Sequence, residues 1–407
     1  MNELKQISGG VCAAKGFQAG GIHCGIRKNR TKRDIALIVS DTPASAAAVY
    51  TANLVKGAPI AVTKKNIADG TARAVICNSG NANTCNEGGV EIAEKMCILT
   101  AGALGIAPTD VVVASTGVIG QPLPIEPIEA HMSELAASVS YNGSAEAAEA
   151  IMTTDTKMKE IAFSFTVGGK ECRIGGIAKG SGMIHPNLAT MLVFITTDCA
   201  VSAEMLQKAL KEDVKTSFNM VSVDGDTFTN DTVAVLANGM AGNDVITADG
   251  ADFDAFCEAL HAVTADLCKK IAADGEGATK LLTCILDGAK SEEIARVVAK
   301  SVICSSLTKA AMFGADANWG RILCAIGYSG ADVDVNKVDV SFRSKAGEIP
   351  VCKNGAGIDF SEDLAKEILT EPEIDILISL NDGEGCATAW GCDLTYEYVK
   401  INGDYRT

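Results

Sequence analysis

Hydrophobic and polar positions follow two different periods along this chain, and together they predict both strands and helices. Apolar runs rich in β-branched residues predict strands at residues 74–78, 111–114, 161–167, 191–197, 232–237, 338–342, 374–380 and 394–401. Apolar positions at helical spacing predict helices at residues 90–104, 203–218, 253–273 and 292–305. Ser202 and Ser291 stand directly before two of these helices, with acidic residues in the turns that follow, so both are predicted N-caps.

The order of these elements indicates an α/β fold. Helices and strands alternate irregularly, which favours an α+β sandwich of mixed sheets over a doubly wound parallel sheet. At 407 residues the chain is long enough for two lobes, each with a sizeable core. No stretch rich in Pro and Ser marks a domain boundary, so we expect one folded unit.

Composition restricts the expected partners. The net charge of −16 argues against a nucleic-acid partner, because phosphate binding relies on clustered Lys and Arg. No apolar run approaches the length of a membrane span and the first residues do not resemble a signal peptide, so we expect a cytoplasmic protein without a membrane partner. The 15 cysteines lack metal-ligand spacing and indicate reduced, packed thiols, so neither a metal nor an organic cofactor is expected.

One threonine has the surroundings of a self-cleaving nucleophile. Thr190 ends the segment Lys179-Gly-Ser-Gly-Met-Ile-His-Pro-Asn-Leu-Ala-Thr190, which leads into the strand predicted at 191–197. Attack of its hydroxyl on the Ala189 carbonyl would turn the peptide bond into an ester, and hydrolysis would leave Thr190 as a new N-terminus. Its α-amine, with a pKa of ~7.7–8.0, would then suit a general base. The local pattern by itself also fits the first residue of an ordinary buried strand.

Two further segments have more than one interpretation. The acidic segment Ser222-Val-Asp-Gly-Asp-Thr-Phe-Thr-Asn-Asp231 lacks the ligand spacing of an EF-hand. A hydrogen-bonded turn is therefore preferred to a metal loop, and support of a substrate cleft is the second interpretation. Residues 175–182 are rich in Gly but match neither a P-loop nor a dinucleotide fingerprint. We interpret these glycines as allowing the strained approach of Ala189 to Thr190.

The segment ending at Thr190 closely resembles the cleavage-site motif of the ornithine acetyltransferase family. Further matches are Asp34-Ile-Ala-Leu-Ile, Asn78-Ser-Gly-Asn-Ala-Asn83, Ser115-Thr-Gly-Val-Ile-Gly120, Met152-Thr-Thr-Asp-Thr156, the acidic segment 222–231, Gly275-Glu-Gly-Ala-Thr-Lys280, Ala317-Asn-Trp-Gly-Arg321 and Tyr398-Val-Lys-Ile-Asn-Gly-Asp-Tyr-Arg-Thr407. The resemblance thus covers nearly the whole chain. It implies a two-lobed fold of the N-terminal-threonine-nucleophile type, similar to aminopeptidase-like proteins, in which the sheet edge around the cleavage site opens onto a cleft.

The resemblance implies a self-cleaving glutamate N-acetyltransferase of arginine biosynthesis. Cleavage between Ala189 and Thr190 would give an α chain, residues 1–189, and a β chain, residues 190–407, which pair as an α2β2 heterotetramer. Thr190 would take the acetyl group of N²-acetylornithine, and glutamate would then remove it as N-acetylglutamate in a ping-pong reaction. Some family members also accept acetyl-CoA, and the sequence leaves open whether this chain does.

The resemblance also assigns the residues of the site. The Thr116 hydroxyl and the Gly117 N–H would form an oxyanion hole. Lys179 is a point cation suited to the substrate α-carboxylate, and Glu276 is a suitable counter-charge for its side-chain ammonium. The remaining substrate-binding residues are Thr153, with its neighbour Thr154 as the alternative, Asn402 and Thr407.

Two other functions stay open. One is an amidohydrolase or aminopeptidase of the same cleaving type, in which water replaces glutamate as the acceptor. The other is a binding protein of the same fold that is neither processed nor enzymatic. The joint presence of Thr116, Gly117, Lys179, Thr190 and Glu276 speaks against the binding protein, and the hydrolase is separated by comparing acetyl transfer to glutamate with release of free acetate.

Overall fold

The structure is a computed structural model that describes residues 4–28, 31–185 and 191–403. Its strands, in chain order, are β1 (Lys5–Ile7), β2 (Phe17–Ile22), β3 (Ile35–Tyr50), β4 (Thr71–Asn81), β5 (Val111–Val118), β6 (Lys159–Val167), β7 (Lys170–Lys179), β8 (Leu192–Thr197), β9 (Val221–Ser222), β10 (Thr232–Ala237), β11 (Leu281–Ala289), β12 (Asp339–Ser344), β13 (Gly347–Lys353), β14 (Ala356–Gly357), β15 (Glu373–Ser379) and β16 (Gly385–Cys392). Its helices are α1 (Ala58–Asn66), α2 (Gly89–Leu104), α3 (Glu126–Ser138), α4 (Ser144–Ile151), α5 (Ala203–Asp213), α6 (Ala251–Ala273), α7 (Glu292–Cys304), α8 (Ser306–Phe313), α9 (Trp319–Gly327), α10 (Glu362–Thr370) and α11 (Tyr396–Gly403).

Nine of these strands form one sheet, in the order β1-β6-β7-β8-β10-β3-β4-β5, with β2 paired to β3. Strand β8 runs antiparallel to β7 and parallel to β10, so the sheet is mixed, as the sequence predicts. The expectation that a sheet edge surrounds the cleavage site concerns residues 189 and 190, which lie outside the described residues; the strand that follows them, β8, lies between two strands in the interior of the sheet. All six residues of β8 are buried, as expected for a strand covered on both faces.

The other seven strands form a second sheet, in the order β14-β13-β12-β15-β11-β16-β9. Helix α6 contributes Phe256 and Leu260 to one apolar core that also contains Val193 of the first sheet and Ile376 of the second. The two predicted lobes are therefore two sheets that share a core, and the predicted α/β sandwich of mixed sheets is confirmed.

Most predicted elements are confirmed. Seven of the eight predicted strands correspond to β4, β5, β6, β8, β10, β12 and β15, and three of the four predicted helices correspond to α2, α6 and α7. Both N-caps are also confirmed, because the Ser202 and Ser291 hydroxyls accept hydrogen bonds from backbone N–H groups of the first helical turns. The helix predicted at 203–218 ends early, at Asp213, and turns follow it, in which the Ser217 N–H and hydroxyl both donate to the Asp213 carbonyl oxygen, at 3.0 and 2.9 Å.

The strand predicted at 394–401 is wrong, because this segment forms helix α11. Its alternating apolar residues resemble a half-buried strand, yet Tyr396 is 83% exposed and Val399 is 69% exposed. The segment is held by polar contacts instead: the Tyr398 hydroxyl, for example, donates to Asp224 Oδ2 at 3.2 Å. A strand in a sheet would bury its apolar face, whereas none of the residues of α11 is buried.

Candidate active site

A cavity of about 330 Å³ lies where the end of β5 and the end of β7 meet the start of β8. It is lined by Thr116, Gly117, Val118, Ile119, Thr153, Thr154, Lys179, Gly182, Met183, Ile184, Met191, Leu192, Phe228, Glu276 and Asn402. Every predicted site residue that the structure describes is in this set. Because Thr153 and Thr154 both line the cavity, the choice between them stays open. Ala189, Thr190 and Thr407 lie outside the described residues.

The residue that follows the candidate nucleophile lines this cavity. The Met191 carbonyl oxygen accepts a hydrogen bond from the Thr232 N–H at 2.9 Å. The next residue, Leu192, pairs with Lys179 of β7 on one side and with Thr232 of β10 on the other. The start of β8 is therefore fixed on both sides by neighbouring strands, directly beside the predicted substrate-binding lysine.

The predicted oxyanion hole lies at the end of β5. Thr116 is only 1% exposed, and Gly117 has a backbone φ of +133°, a conformation that favours glycine. A Cβ atom at Gly117 would lie 2.3 Å from the Gly80 carbonyl carbon and 2.5 Å from the Asn81 nitrogen of the adjacent β4. Glycine is thus required here both by conformation and by the close approach of β4, and it leaves the backbone of Gly117 open to the cavity.

Lys179 is the buried cation of the cavity. It is 7% exposed, and its ammonium group makes no hydrogen bond to another described residue. Burial lowers the pKa of Lys179 below its ordinary value, and the Asp155 and Asp231 carboxylates act in the opposite direction. A buried ammonium with unused donors is a strong site for an anionic ligand group, because binding would supply the missing partner.

Glu276 and Asn402 meet at another part of the cavity wall. The Asn402 side-chain N–H donates to Glu276 Oε2 at 2.7 Å, and the Glu276 N–H donates to the Ser181 carbonyl oxygen at 2.9 Å. A Cβ atom at Gly182 would lie 2.3 Å from the Glu276 carboxyl carbon, so a side chain at this position would displace the carboxylate. The cavity therefore has a cation, Lys179, and an anion, Glu276, in its lining.

A buried ion-pair network, which the sequence analysis missed, lies behind this cavity. Lys159 is 1% exposed, and its ammonium donates to Asp155 Oδ1 at 2.7 Å and to Asp274 Oδ2 at 2.6 Å. Asp274 also accepts hydrogen bonds from the backbone and the hydroxyl of Thr156. The sequence did contain a signal for this network in the positions of its two acids. Asp155 lies in the matched segment 152–156, and Asp274 stands two residues before Glu276.

The acidic segment 222–231 is a hydrogen-bonded turn, as preferred from the sequence. Asp224 accepts hydrogen bonds from the Met183 N–H at 2.6 Å and from the Ile184 N–H at 2.9 Å. The segment also contributes Phe228 to the cavity wall, so the second interpretation, support of a cleft, holds as well. Within the described part of the chain, no three His, Cys, Asp or Glu side chains are grouped as metal ligands.

Two glycines of the 175–182 stretch have roles other than the predicted one. Gly175 lies inside β7, where a Cβ atom would stand 2.0 Å from the Gly10 carbonyl oxygen. Because Gly175 has no side chain, the N-terminal segment at Gly10 can pack against it. Gly182 likewise leaves room for the Glu276 carboxylate. Both glycines are explained by close packing, whereas the proposed approach of Ala189 to Thr190 lies outside the described residues.

The comparisons with known proteins agree on one family. The model of the ArgJ family matches residues 18–407. The arginine biosynthesis bifunctional protein ArgJ of Caldanaerobacter subterraneus subsp. tengcongensis is 50% identical over 405 residues, which cover 99% of this chain and 100% of that protein. The protein of the same name from Bacillus subtilis is 48% identical over 408 residues, covering 100% of this chain and 98% of that one. Among solved structures, the arginine biosynthesis bifunctional protein argJ of Bacillus halodurans matches with a TM-score of 0.50 and 45% identity, over 52% of this chain and 98% of its own.

Proposed function

Since this chain belongs to the ArgJ family, we propose that it is a self-cleaving acetyltransferase of arginine biosynthesis with Thr190 as its nucleophile. The family membership confirms the resemblance found in the sequence. The proposed reaction moves the acetyl group of N²-acetylornithine to glutamate and gives ornithine and N-acetylglutamate. Because the relatives are named as bifunctional proteins, the proposal includes acetyl-CoA as a second acetyl donor.

The observation that carries this proposal is the convergence of distant chain segments on one cavity. Thr116 and Gly117 come from β5, Lys179 from the end of β7, Glu276 from the loop after α6, and Asn402 from α11. Together they supply oxyanion donors, a buried cation and a carboxylate around the start of β8. An acyl transfer to an amino-acid substrate needs these groups.

The proposed cleavage between Ala189 and Thr190 would divide the first sheet between two fragments. Strands β8 and β10 would belong to the β chain, residues 190–407, and their neighbours β7 and β3 to the α chain, residues 1–189. The backbone hydrogen bonds of the sheet would keep the fragments together. The solved argJ chain of Bacillus halodurans supports this division. The match includes 98% of that chain but only 52% of this one, so the solved chain is about half as long as this chain.

In the proposed reaction the new α-amine of Thr190 takes the proton of its own hydroxyl. The Thr190 oxygen then attacks the acetyl carbonyl, and the tetrahedral oxyanion accepts hydrogen bonds from the Thr116 hydroxyl and the Gly117 N–H. Collapse breaks the amide bond, and the departing ornithine nitrogen takes the proton back. In the second half-reaction the amine of glutamate attacks the carbonyl of the acetyl-threonine ester. The ester bond breaks, the Thr190 hydroxyl regains its proton, and N-acetylglutamate leaves. The acetyl group is carried by the protein itself, so the proposal includes no metal or organic cofactor.

Substrate recognition in this proposal depends on the two opposite charges of the cavity. Lys179 would bind the α-carboxylate of acetylornithine, and Glu276, positioned by Asn402, would bind its side-chain ammonium. The site would also include Thr153 or Thr154, and Thr407. A substrate lacking either charge would leave one buried group unpaired, which costs about 1–3 kcal/mol or more for a charged group.

The proposal also covers assembly and location. We assign the α and β chains to an α2β2 heterotetramer in the cytoplasm. Among the helices of the described residues, none has the length and apolar character that a membrane crossing requires.

The experiment that tests the proposal is the intact mass of the untagged protein under denaturing conditions, followed by transfer assays. Two fragments that meet at Ala189/Thr190 are expected, with acetyl transfer to glutamate faster than release of free acetate. A single chain of 42.1 kDa would favour an unprocessed binding protein, and acetate release alone would favour a hydrolase. Thr190→Ala should abolish both cleavage and transfer, whereas Thr190→Ser, which keeps the hydroxyl, should retain part of each.

A further inference from the structure

The Asp155 carboxylate contacts Lys159 and the backbone of two segments that line the candidate site. Its Oδ1 accepts hydrogen bonds from Lys159 Nζ and from the Gly180 N–H, both at 2.7 Å. Its Oδ2 accepts from the Thr153 N–H at 3.0 Å. The side chain is completely buried. One carboxylate therefore holds the backbone of a residue adjoining Lys179 and the backbone of a predicted substrate-binding threonine.

We infer that Asp155 is a positioning residue for substrate binding: its carboxylate holds the backbone of Gly180, next to Lys179, and of Thr153, and it brings a negative charge to the Lys179 segment. The inference rests on the proposed function, because it takes the substrate α-carboxylate as the ligand of Lys179. Asp155 does not line the cavity, so its effect on the substrate passes through these neighbours.

The charges around Lys179 explain why such a residue is needed. Burial favours the neutral amine, and the Lys159 ammonium acts in the same direction. The Asp155 carboxylate is the largest opposing influence, followed by Asp231 and the Cys77 thiol. Without Asp155 the balance would move towards a neutral amine, which binds a carboxylate far more weakly.

Asp155 is suited to this role because it stays ionised. Burial by itself raises the pKa of Asp155, but the Lys159 and Lys179 ammonium groups outweigh it and hold this pKa below its usual range. Asp231 is in a different state, because burial raises its pKa well above the ordinary value and Lys179 offsets this only in part. Of the two buried acids that act on Lys179, Asp155 is therefore the one whose charged form is favoured by its surroundings.

The test is the pH dependence of kcat/KM for acetylornithine in the mature, fully cleaved enzyme. Asp155→Asn keeps the size of the side chain and removes its charge, so the alkaline limb should move to lower pH by about one unit. Lys159→Met removes the opposite charge, so the same limb should move to higher pH. The effect should appear in KM more than in kcat, because ground-state binding of the carboxylate is what changes.

Asp274→Asn is the matched control. It also removes a carboxylate that pairs with Lys159, but Asp274 is not among the main charges acting on Lys179. It should lower activity through the Thr156 contacts and leave the alkaline limb in place. The inference is supported if the alkaline limb moves to lower pH in Asp155→Asn and to higher pH in Lys159→Met. If only one of these variants folds, the direction in which its alkaline limb moves decides.

An unmoved limb in a folded variant, or a limb that moves equally in Asp274→Asn, would overturn the inference. The proposed function fails in a different way, since the wild-type enzyme would then show no acetyl transfer to glutamate. The two failures are therefore distinguishable in the same assay.

Discussion

Asn402 donates a hydrogen bond of 2.7 Å to Glu276 Oε2, and this contact joins the last helix of the described chain to the loop that follows α6. The same Asn402 side chain donates to the Tyr398 carbonyl oxygen at 3.1 Å within α11. The carboxylate thus has a fixed orientation in the cavity that depends on residues near the end of the chain. Substrate binding should be sensitive to this helix.

Asn402→Ala should raise KM for acetylornithine by about tenfold or more and leave self-cleavage intact. A hydrogen bond to a charged group contributes about 1.5–3 kcal/mol, and each 1.4 kcal/mol is a tenfold change in binding. Steady-state kinetics on the cleaved enzyme measure the effect. Val399→Ala, an exposed change in the same helix, is the control and should behave as wild type. Equal KM values for the two variants would contradict this role of Asn402.

Gly182→Ala should weaken substrate binding to nearly the same extent as Glu276→Ala. The added methyl group would stand 2.3 Å from the Glu276 carboxyl carbon, so the carboxylate must move out of its position. The measurement is KM for acetylornithine, together with a thermal melt.

The control for this change is Gly102→Ala in α2, where a Cβ atom would meet nothing within 4 Å. That substitution should leave KM unchanged and stabilise the protein by about 0.5–1 kcal/mol, because Ala favours helix more than Gly does. A Gly182→Ala enzyme with wild-type KM would show that Glu276 does not bind the substrate from its position in the structure.

Thr116→Ala should lower kcat for acetyl transfer by about 10²–10³, since it removes one proposed donor to the oxyanion. Thr116→Ser keeps the hydroxyl and should retain most of the activity. Single-turnover formation of the acetyl-enzyme measures this step directly. Thr116 is 1% exposed, so a thermal melt is needed to separate loss of chemistry from loss of packing. If the Ala and Ser variants lose activity equally, the hydroxyl is not the relevant group.

His185 should make the protein less stable as the pH falls from about 6.5 to about 4. Burial lowers the pKa of this imidazole from 6.5 to about 4, and Lys300 adds to the effect. Its Nδ1 lies 3.1 Å from Ser222 Oγ and 3.4 Å from Cys304 Sγ. Between the two pKa values the unfolded chain binds a proton that the folded chain does not, so the free energy of unfolding decreases towards acid pH.

The measurement is urea unfolding of the wild type and of His185→Gln at pH 7.5 and pH 4.5. The wild type should lose more of its free energy of unfolding between these two pH values than the variant does. The same loss in both proteins would show that His185 does not contribute to the acid sensitivity.

Much of the candidate site could be predicted because its residues lie in short, recognisable segments. Thr116 and Gly117 stand just after a predicted strand, where backbone groups become available to a ligand, whereas Lys179 ends β7, a strand that the sequence pattern did not predict. The 16-residue β3 was missed, since its sequence includes Asp, Pro, Ser and many Ala residues that weaken a strand pattern. It forms because β2, β4 and β10 all pair with it, and such pairing is not visible in a local window.

Sequence by itself determined the family, the mixed α/β class, the N-caps at Ser202 and Ser291 and a set of candidate site residues whose described members line one cavity, because all of these depend on residues close together in the chain or on ordered motifs. Tertiary structure alone decided that residues 396–403 form a helix, that Gly182 makes room for Glu276, and that Asp155, Lys159 and Asp274 form one buried network. The physical reason is that hydrogen bonds, steric exclusion and charge pairing act over a few ångströms in space, and a local window of sequence does not show which distant segments, such as those of Gly182 and Glu276, come that close.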